Sequence, residues 1–176
     1  EFRRVLFRSG TSNNKIGSNV VNQQFDSIIQ RISATTKHLQ LVAIDGSGGA
    51  GKSTFAQQLK TQLEGRQIVQ LVSLDHFYKP ITLAKRVLMQ VAQARDHYFD
   101  RETFCQQILI PLSIGHDVSY QSHDWLTAMP DGNHQVKACG VVIIDGVYAF
   151  CKQLRPFYSL SIYVDTPEIV RFQRLY

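Results

Sequence analysis

The chain alternates between short apolar runs, each closed by an aspartate, and stretches that carry one apolar face. Leu39-Gln-Leu-Val-Ala-Ile44 ends at Asp45-Gly46 and has the length and composition of a strand buried on both faces. Val141-Val-Ile-Ile144 repeats the pattern before Asp145-Gly146, Ile68 to Leu74 stops at Asp75, and Leu160 to Val164 stops at Asp165. Phe25, Ile28, Ile29 and Ile32 recur at helical spacing and predict an amphipathic helix over Val21 to Ile32. Phe55, Leu59 and Leu63 predict another from Lys52 to Leu63, with Gly65 as its C-terminal cap. Further helices are expected over Leu83 to Ala94, over Thr103 to Leu112, and from Pro167, a residue suited to a first helical turn. Val118 to Met129 is aromatic and irregular, with room for one short strand, and Gly10 to Ser18 reads as a flexible lead. Strands separated by helices predict an α/β fold, a mainly parallel sheet covered on both faces.

Composition agrees with one globular domain: 176 residues, 44% apolar and 19% charged, neither disordered nor fibrous. No run approaches the roughly 18 to 20 apolar residues of a spanning helix, and no early segment has the order of a secretory signal, so a cytoplasmic protein without a membrane partner is expected. Cys105, Cys139 and Cys151 form no C-x-x-C pair and read as reduced thiols. The net charge of +5 invites a nucleic-acid partner, but the first nine residues, Glu1-Phe-Arg-Arg-Val-Leu-Phe-Arg-Ser9, resemble an in-frame translation of a sequencing adapter and carry +2 of it. The remainder holds +3 with no basic run, and no nucleic-acid partner is expected. That origin suggests a gene fragment: a flexible lead over 1–18, then one domain over 19–176 that stops at Tyr176 inside an unfinished helix, with C-terminal parts missing.

The chemistry is concentrated in Gly46-Ser47-Gly48-Gly49-Ala50-Gly51-Lys52-Ser53-Thr54, which fits G-x-x-x-x-G-K-[ST] between a strand and a helix, the setting of a phosphate-binding P-loop. Glycines let the backbone curl until successive N–H groups point inward, and the following helix adds its positive end, so triphosphate oxygens are the natural guest. Lys52 would reach the β- and γ-phosphates, and Ser53 would offer its hydroxyl to Mg²⁺. Thr54 has a helix-start role as its alternative. Phosphoryl transfer also needs a carboxylate near the metal or the nucleophile, and ligands of open parallel sheets sit beyond the strands' carboxyl ends, where Asp45, Asp75 and Asp145 qualify by position. Each could instead cap a turn, Asp45 above all, because it precedes the loop.

The order of motifs resembles the uridine kinase and phosphoribulokinase branch of P-loop kinases from about Leu39 to Tyr176. The resemblance rests on the P-loop, on Ser73-Leu-Asp75-His-Phe77-Tyr78 (the family's D-x-F-Y), and on Tyr98-Phe99-Asp100 with Pro111-Leu112. It continues through His123-Asp124-Trp125, Val141 to Ala149, and Tyr163-Val-Asp165-Thr-Pro. It implies a three-layer P-loop NTPase fold with the C-terminal lid region truncated, ATP and Mg²⁺ as cofactors, and a hydroxyl of a small molecule, typically a nucleoside ribose, as acceptor. It makes Asp75 the residue that orients or deprotonates that hydroxyl, and puts Asp145 at the metal where relatives usually carry glutamate. Phe77, Tyr78, Asp100, His123 and Asp124 would contact the acceptor.

Each of these has an alternative: core packing for Phe77, capping for Asp100 and Asp124, a hydrogen-bonding wall for His123. Tyr120 and Trp125 read first as core aromatics. Arg171 and Arg174, three apart, lead toward the lid region, with plain surface positions as the alternative. His123 replaces a common tyrosine, and Asp96-His97-Tyr98-Phe99-Asp100 is two residues shorter than the nucleoside kinases' D-H-P-D-x-F-D. A pantothenate kinase- or phosphoribulokinase-like acceptor, or nucleotide binding without turnover, therefore stays open, as does a homo-oligomer. A GTPase switch does not, for N-K-x-D is absent.

Overall fold

The apolar runs become strands and the one-faced stretches become helices in the computed structural model, which describes residues 4–8, 15–79, 99–123 and 129–175. The chain divides into two compact units, one built from residues 1–72 with 139–176 and one from residues 73–138.

The first unit holds a five-stranded sheet in the order β1-β7-β2-β6-β3, made of β1 (Arg4–Arg8), β2 (Leu39–Asp45), β3 (Val69–Ser73), β6 (Gly140–Asp145) and β7 (Leu160–Asp165). β1 pairs with β7, β7 with β2, and β2 with β6, all in parallel. Val42 and Ile44, Val141 and Ile143, and Ile162 and Val164 alternate along their strands into one core with Ile28 and Ile32 of α1 (Lys15–Ser33) and Phe55, Leu59 and Leu63 of α2 (Lys52–Leu63). Leu41, Ala43, Val142 and Ile144, the intervening residues, are buried as well. The expected two-sided burial is thus observed, and α2 has the predicted bounds.

Several expectations change. The helix predicted from Val21 begins at Lys15, so residues 15–18 are helical rather than a flexible lead; residues 10–14 lie outside the described residues. Their low apolar content hides the start, because a helix can extend beyond the turns that carry its stripe. Residues 4–8, set aside as adapter-like, form β1 on the edge of β7, where buried Phe7 meets Phe55 with ring centroids 4.4 Å apart. Gly65 does not adopt the left-handed cap conformation: α2 closes on Glu64, whose N–H donates to the Lys60 carbonyl in a right-handed turn.

In the second unit a 3-10 turn, Leu74–Phe77, follows Ser73, whose hydroxyl accepts from the Asp75 N–H at 3.3 Å. The helix predicted from Thr103 starts at Arg101: α3 (Arg101–Phe104) runs through one π-helical segment, Cys105–Leu109, into α4 (Ile110–Ser113). The short strand allowed for within Val118 to Met129 is β4 (Val118–His123), and it pairs antiparallel with β5 (Pro130–Val136), which the sequence pattern did not suggest; residues 124–128 lie outside the described residues. The predicted helix over Leu83 to Ala94 lies outside the described residues. In the first unit, α5 (Glu168–Leu175) follows Pro167 as expected.

Candidate functional site

β2 is flanked by β6 on one side and β7 on the other, while the chain itself leaves β2 for α2 and β3. That reversal of strand order is where an open parallel sheet leaves a crevice beyond the strand ends, and the glycine loop starts there. Gly49 and Gly51 take positive φ, 70° and 87°, and Gly51 is the N-cap of α2. Lys52 is only 8% exposed, unusual for a lysine, because its side chain folds back so that Nζ donates to the Ser47 carbonyl at 3.0 Å. Its charge therefore sits within the loop's curl. Thr54 stands exposed on the first turn of α2.

At the loop's far end the Ser53 hydroxyl donates to Asp145 Oδ2 at 2.7 Å. The sequence proposed both residues for the same cation, and the fold brings them together. A hydroxyl beside a carboxylate is a hard oxygen pair of the kind Mg²⁺ takes while keeping waters and phosphate oxygens as its other ligands. Among the described residues no three of His, Cys, Asp and Glu gather into a further metal-type cluster. The residues present fit Mg²⁺, and the Asp145 side chain is long enough to reach Ser53.

Asp45 has a different task. Its Oδ1 accepts from the Gly46 N–H at 2.6 Å and its Oδ2 from the Phe150 N–H at 2.8 Å, fastening the loop's entry to the turn after β6. Burial pushes its carboxyl above the ordinary value of 3.8, against the pull of those N–H groups and of Lys52. This is the structural alternative the sequence allowed for it.

Sequence reasoning missed Thr166. It follows β7, is buried, and donates from Oγ1 to the Ala50 carbonyl at 2.8 Å. Its place in Tyr163-Val-Asp165-Thr-Pro was the available signal, and that motif does not name its partner. Arg171 and Arg174 bond backbone: Arg171 Nε donates to the Thr166 carbonyl and Arg174 Nη1 to the Gly49 carbonyl, each at 3.2 Å.

In the second unit a cavity of about 280 Å³ is lined by His76, Phe77, Tyr78, Lys79, Asp100 and Gln121, with Thr103 and Gln107. It gathers three of the five proposed acceptor residues. Phe77 is also buried against Phe104 and Tyr120, with centroids 5.0 and 5.2 Å away, so core and wall are one position. Asp100 is also a cap, accepting from the Thr103 N–H at 3.2 Å. Tyr120 is a core residue: its hydroxyl shares a 3.1 Å hydrogen bond with His76 Nδ1, and burial pushes the phenol up to about 12. Asp75 is exposed in its 3-10 turn. His123 ends β4, and Asp124 and Trp125 lie outside the described residues.

A glycine loop folded around its own lysine at the switch point of a parallel sheet makes the first unit a P-loop NTPase fold. Within that class the chain belongs to the phosphoribulokinase/uridine kinase family, whose model matches residues 41–175. It is 25% identical over 138 residues to the uridine kinase of Borrelia duttonii, covering 77% of this chain and 65% of that protein. It is 30% identical over 139 residues to a chloroplastic uridine/cytidine kinase of Arabidopsis thaliana, covering 76% of this chain and 28% of that one. Among solved structures, a possible uridine kinase from Bacillus stearothermophilus aligns with a TM-score of 0.70 and 25% identity, over 88% of this chain and 86% of the other. The chain thus spans about two thirds of the length of the Borrelia relative. No helix among the described residues is long and apolar enough to cross a membrane.

Proposed function

We propose that the protein is an ATP- and Mg²⁺-dependent kinase that moves the γ-phosphoryl group of ATP to a hydroxyl of a small cytoplasmic molecule, most simply the ribose of a nucleoside. The observation that carries this reading is the pairing of Ser53 with Asp145 at one end of the loop that curls around Lys52. A bare glycine turn has no use for that combination.

In this reading the loop amides and Lys52 bind the β- and γ-phosphate oxygens, Lys52 exchanging its Ser47 carbonyl partner for them. Ser53 and Asp145 hold Mg²⁺, which supplies positive charge against the charge that develops on the transferring group. Asp75 orients the acceptor hydroxyl and takes its proton as the new P–O bond forms and the bond to ADP breaks. Phe77, Tyr78 and Asp100 bind the acceptor, supported by the cavity they line, and His123 and Asp124 join them by their place in the family's motif order.

Coupled ADP release over a panel of nucleosides, pantothenate and ribulose 5-phosphate tests the proposal. Uridine or cytidine should drive ADP release, and Lys52→Ala should abolish it. Tight Mg²⁺·ATP binding with no ADP release from any acceptor would overturn the kinase reading and leave a nucleotide-binding protein without turnover.

A further inference from the structure

The corner between β7 and α5 grips the glycine loop from behind. A Cβ on Gly46 would lie 2.6 Å from the Val164 carbonyl oxygen, and one on Gly49 would lie 2.8 Å from the Arg171 carbonyl oxygen. Between these contacts Thr166, 6% exposed, donates its hydroxyl hydrogen to the Ala50 carbonyl at 2.8 Å. The Thr166 carbonyl is in turn held by Arg171 Nε at 3.2 Å, so the threonine is fixed from both ends.

The bond has a directional consequence. Ala50 and Gly51 share a trans peptide, in which the C=O and the next N–H point opposite ways. Pulling the Ala50 carbonyl toward β7 turns the Gly51 N–H away from it, and among the described residues that N–H donates to no protein group. The neighbouring Ala50 N–H, by contrast, is spent on the Ser47 carbonyl at 3.1 Å.

We propose that Thr166 is a positioning residue for the phosphate cradle: its buried hydroxyl pins the Ala50 carbonyl and so aims the Gly51 amide at bound polyphosphate. Thr166 touches no phosphate and acts only through the loop. The proposal rests on the nucleotide-binding reading above. Valine has the shape of threonine without the donor, and serine keeps the donor, so the pair separates hydroxyl from packing.

The test measures dissociation constants of the full chain for N-methylanthraniloyl-ATP with Mg²⁺, and of inorganic tripolyphosphate as its competitor, for the wild type, Lys52→Ala, Thr166→Val and Thr166→Ser. Thr166→Val should weaken both probes about tenfold at temperatures well below its melting point, and Thr166→Ser should stay within about threefold of the wild type. If Thr166→Val does not fold, Thr166→Ala takes its place. Wild-type affinity in Thr166→Val, or equal loss in Thr166→Ser, overturns the positioning role, and a Lys52→Ala variant that has lost binding shows that the cradle reading survives it. A wild type that binds neither probe overturns both.

Discussion

Ser53 and Asp145, 92 residues apart in sequence, meet through a 2.7 Å hydrogen bond because β2 and β6 are parallel neighbours whose ends open on the same side of the sheet. Ser53→Ala and Asp145→Asn should each raise the Mg²⁺ concentration needed for half-maximal ADP release by at least about tenfold. Ser53 is exposed, so its variant should lose less than about 1 kcal/mol of stability. A Mg²⁺ titration settles the matter: an unchanged midpoint in both variants would remove the pair from the metal.

How much of this was readable in the sequence follows from what each residue leans on. α2 was legible because Phe55, Leu59 and Leu63 face the core with the helical period, and β2, β6 and β7 because short apolar runs such as Val141 to Ile144 are buried on both faces. β5 was not, since only Val136 of Pro130–Val136 is buried and its strand form is imposed by pairing with β4. The P-loop and Ser53 announced themselves by spacing, which encodes a local backbone shape, and Asp145 by its place at a strand end and in the order of motifs. Thr166 could not, because its partner Ala50 is 116 residues away and is met only once β7 lies beside β2. Gly65 misled for the opposite reason: a glycine permits a left-handed cap without requiring one.

Asp45 gives the fold a pH signature. Burial sets its folded pKa above the unfolded value of 3.8, so the native state binds that proton more tightly than the unfolded chain does. The stability that comes from this protonation is complete below 3.8 and is lost as pH rises through the folded value. Asp45→Asn has no such proton. In urea unfolding from about pH 3 to 7, the wild type should lose stability relative to Asp45→Asn as pH rises, once the other carboxylates cancel between the two proteins. A wild type that gains on the variant over that range would show that the Gly46 and Phe150 amides outweigh burial.

Asp100 both caps α3 and lines the cavity of the second unit, and two substitutions tell these apart. Asp100→Ala should cost about 1 kcal/mol in denaturant unfolding through the lost cap. Asp100→Ser keeps a capping oxygen and should recover most of that stability, but it removes the carboxylate. If the charge binds the acceptor, the acceptor KM should stay raised in Asp100→Ser while the KM for ATP is unchanged. Normal acceptor KM in the serine variant would leave Asp100 with capping alone.

The three glycines Gly48, Gly49 and Gly65 should respond to alanine in different ways, and the differences follow from the space and torsion at each. At Gly49 the backbone has φ of 70° and the new Cβ would meet the Arg171 carbonyl oxygen at 2.8 Å, an atom of the helix backbone that cannot swing aside. Strain and clash together should cost about 1 to 3 kcal/mol or more. At Gly48 the nearest neighbour would be Leu175 Cδ1 at 3.9 Å, ordinary contact with a flexible side chain, and φ is not positive. At Gly65 nothing lies within 4 Å, so alanine should be neutral or stabilise by up to about 1 kcal/mol through the unfolded chain. Urea unfolding of the three variants should therefore rank Gly49→Ala far below Gly48→Ala, with Gly65→Ala highest. Because Gly49 meets the α5 backbone directly, Gly49→Ala should also weaken ATP binding beyond what its stability loss explains. Equal stability of the Gly48 and Gly49 variants would mean that α5 does not rest on the loop.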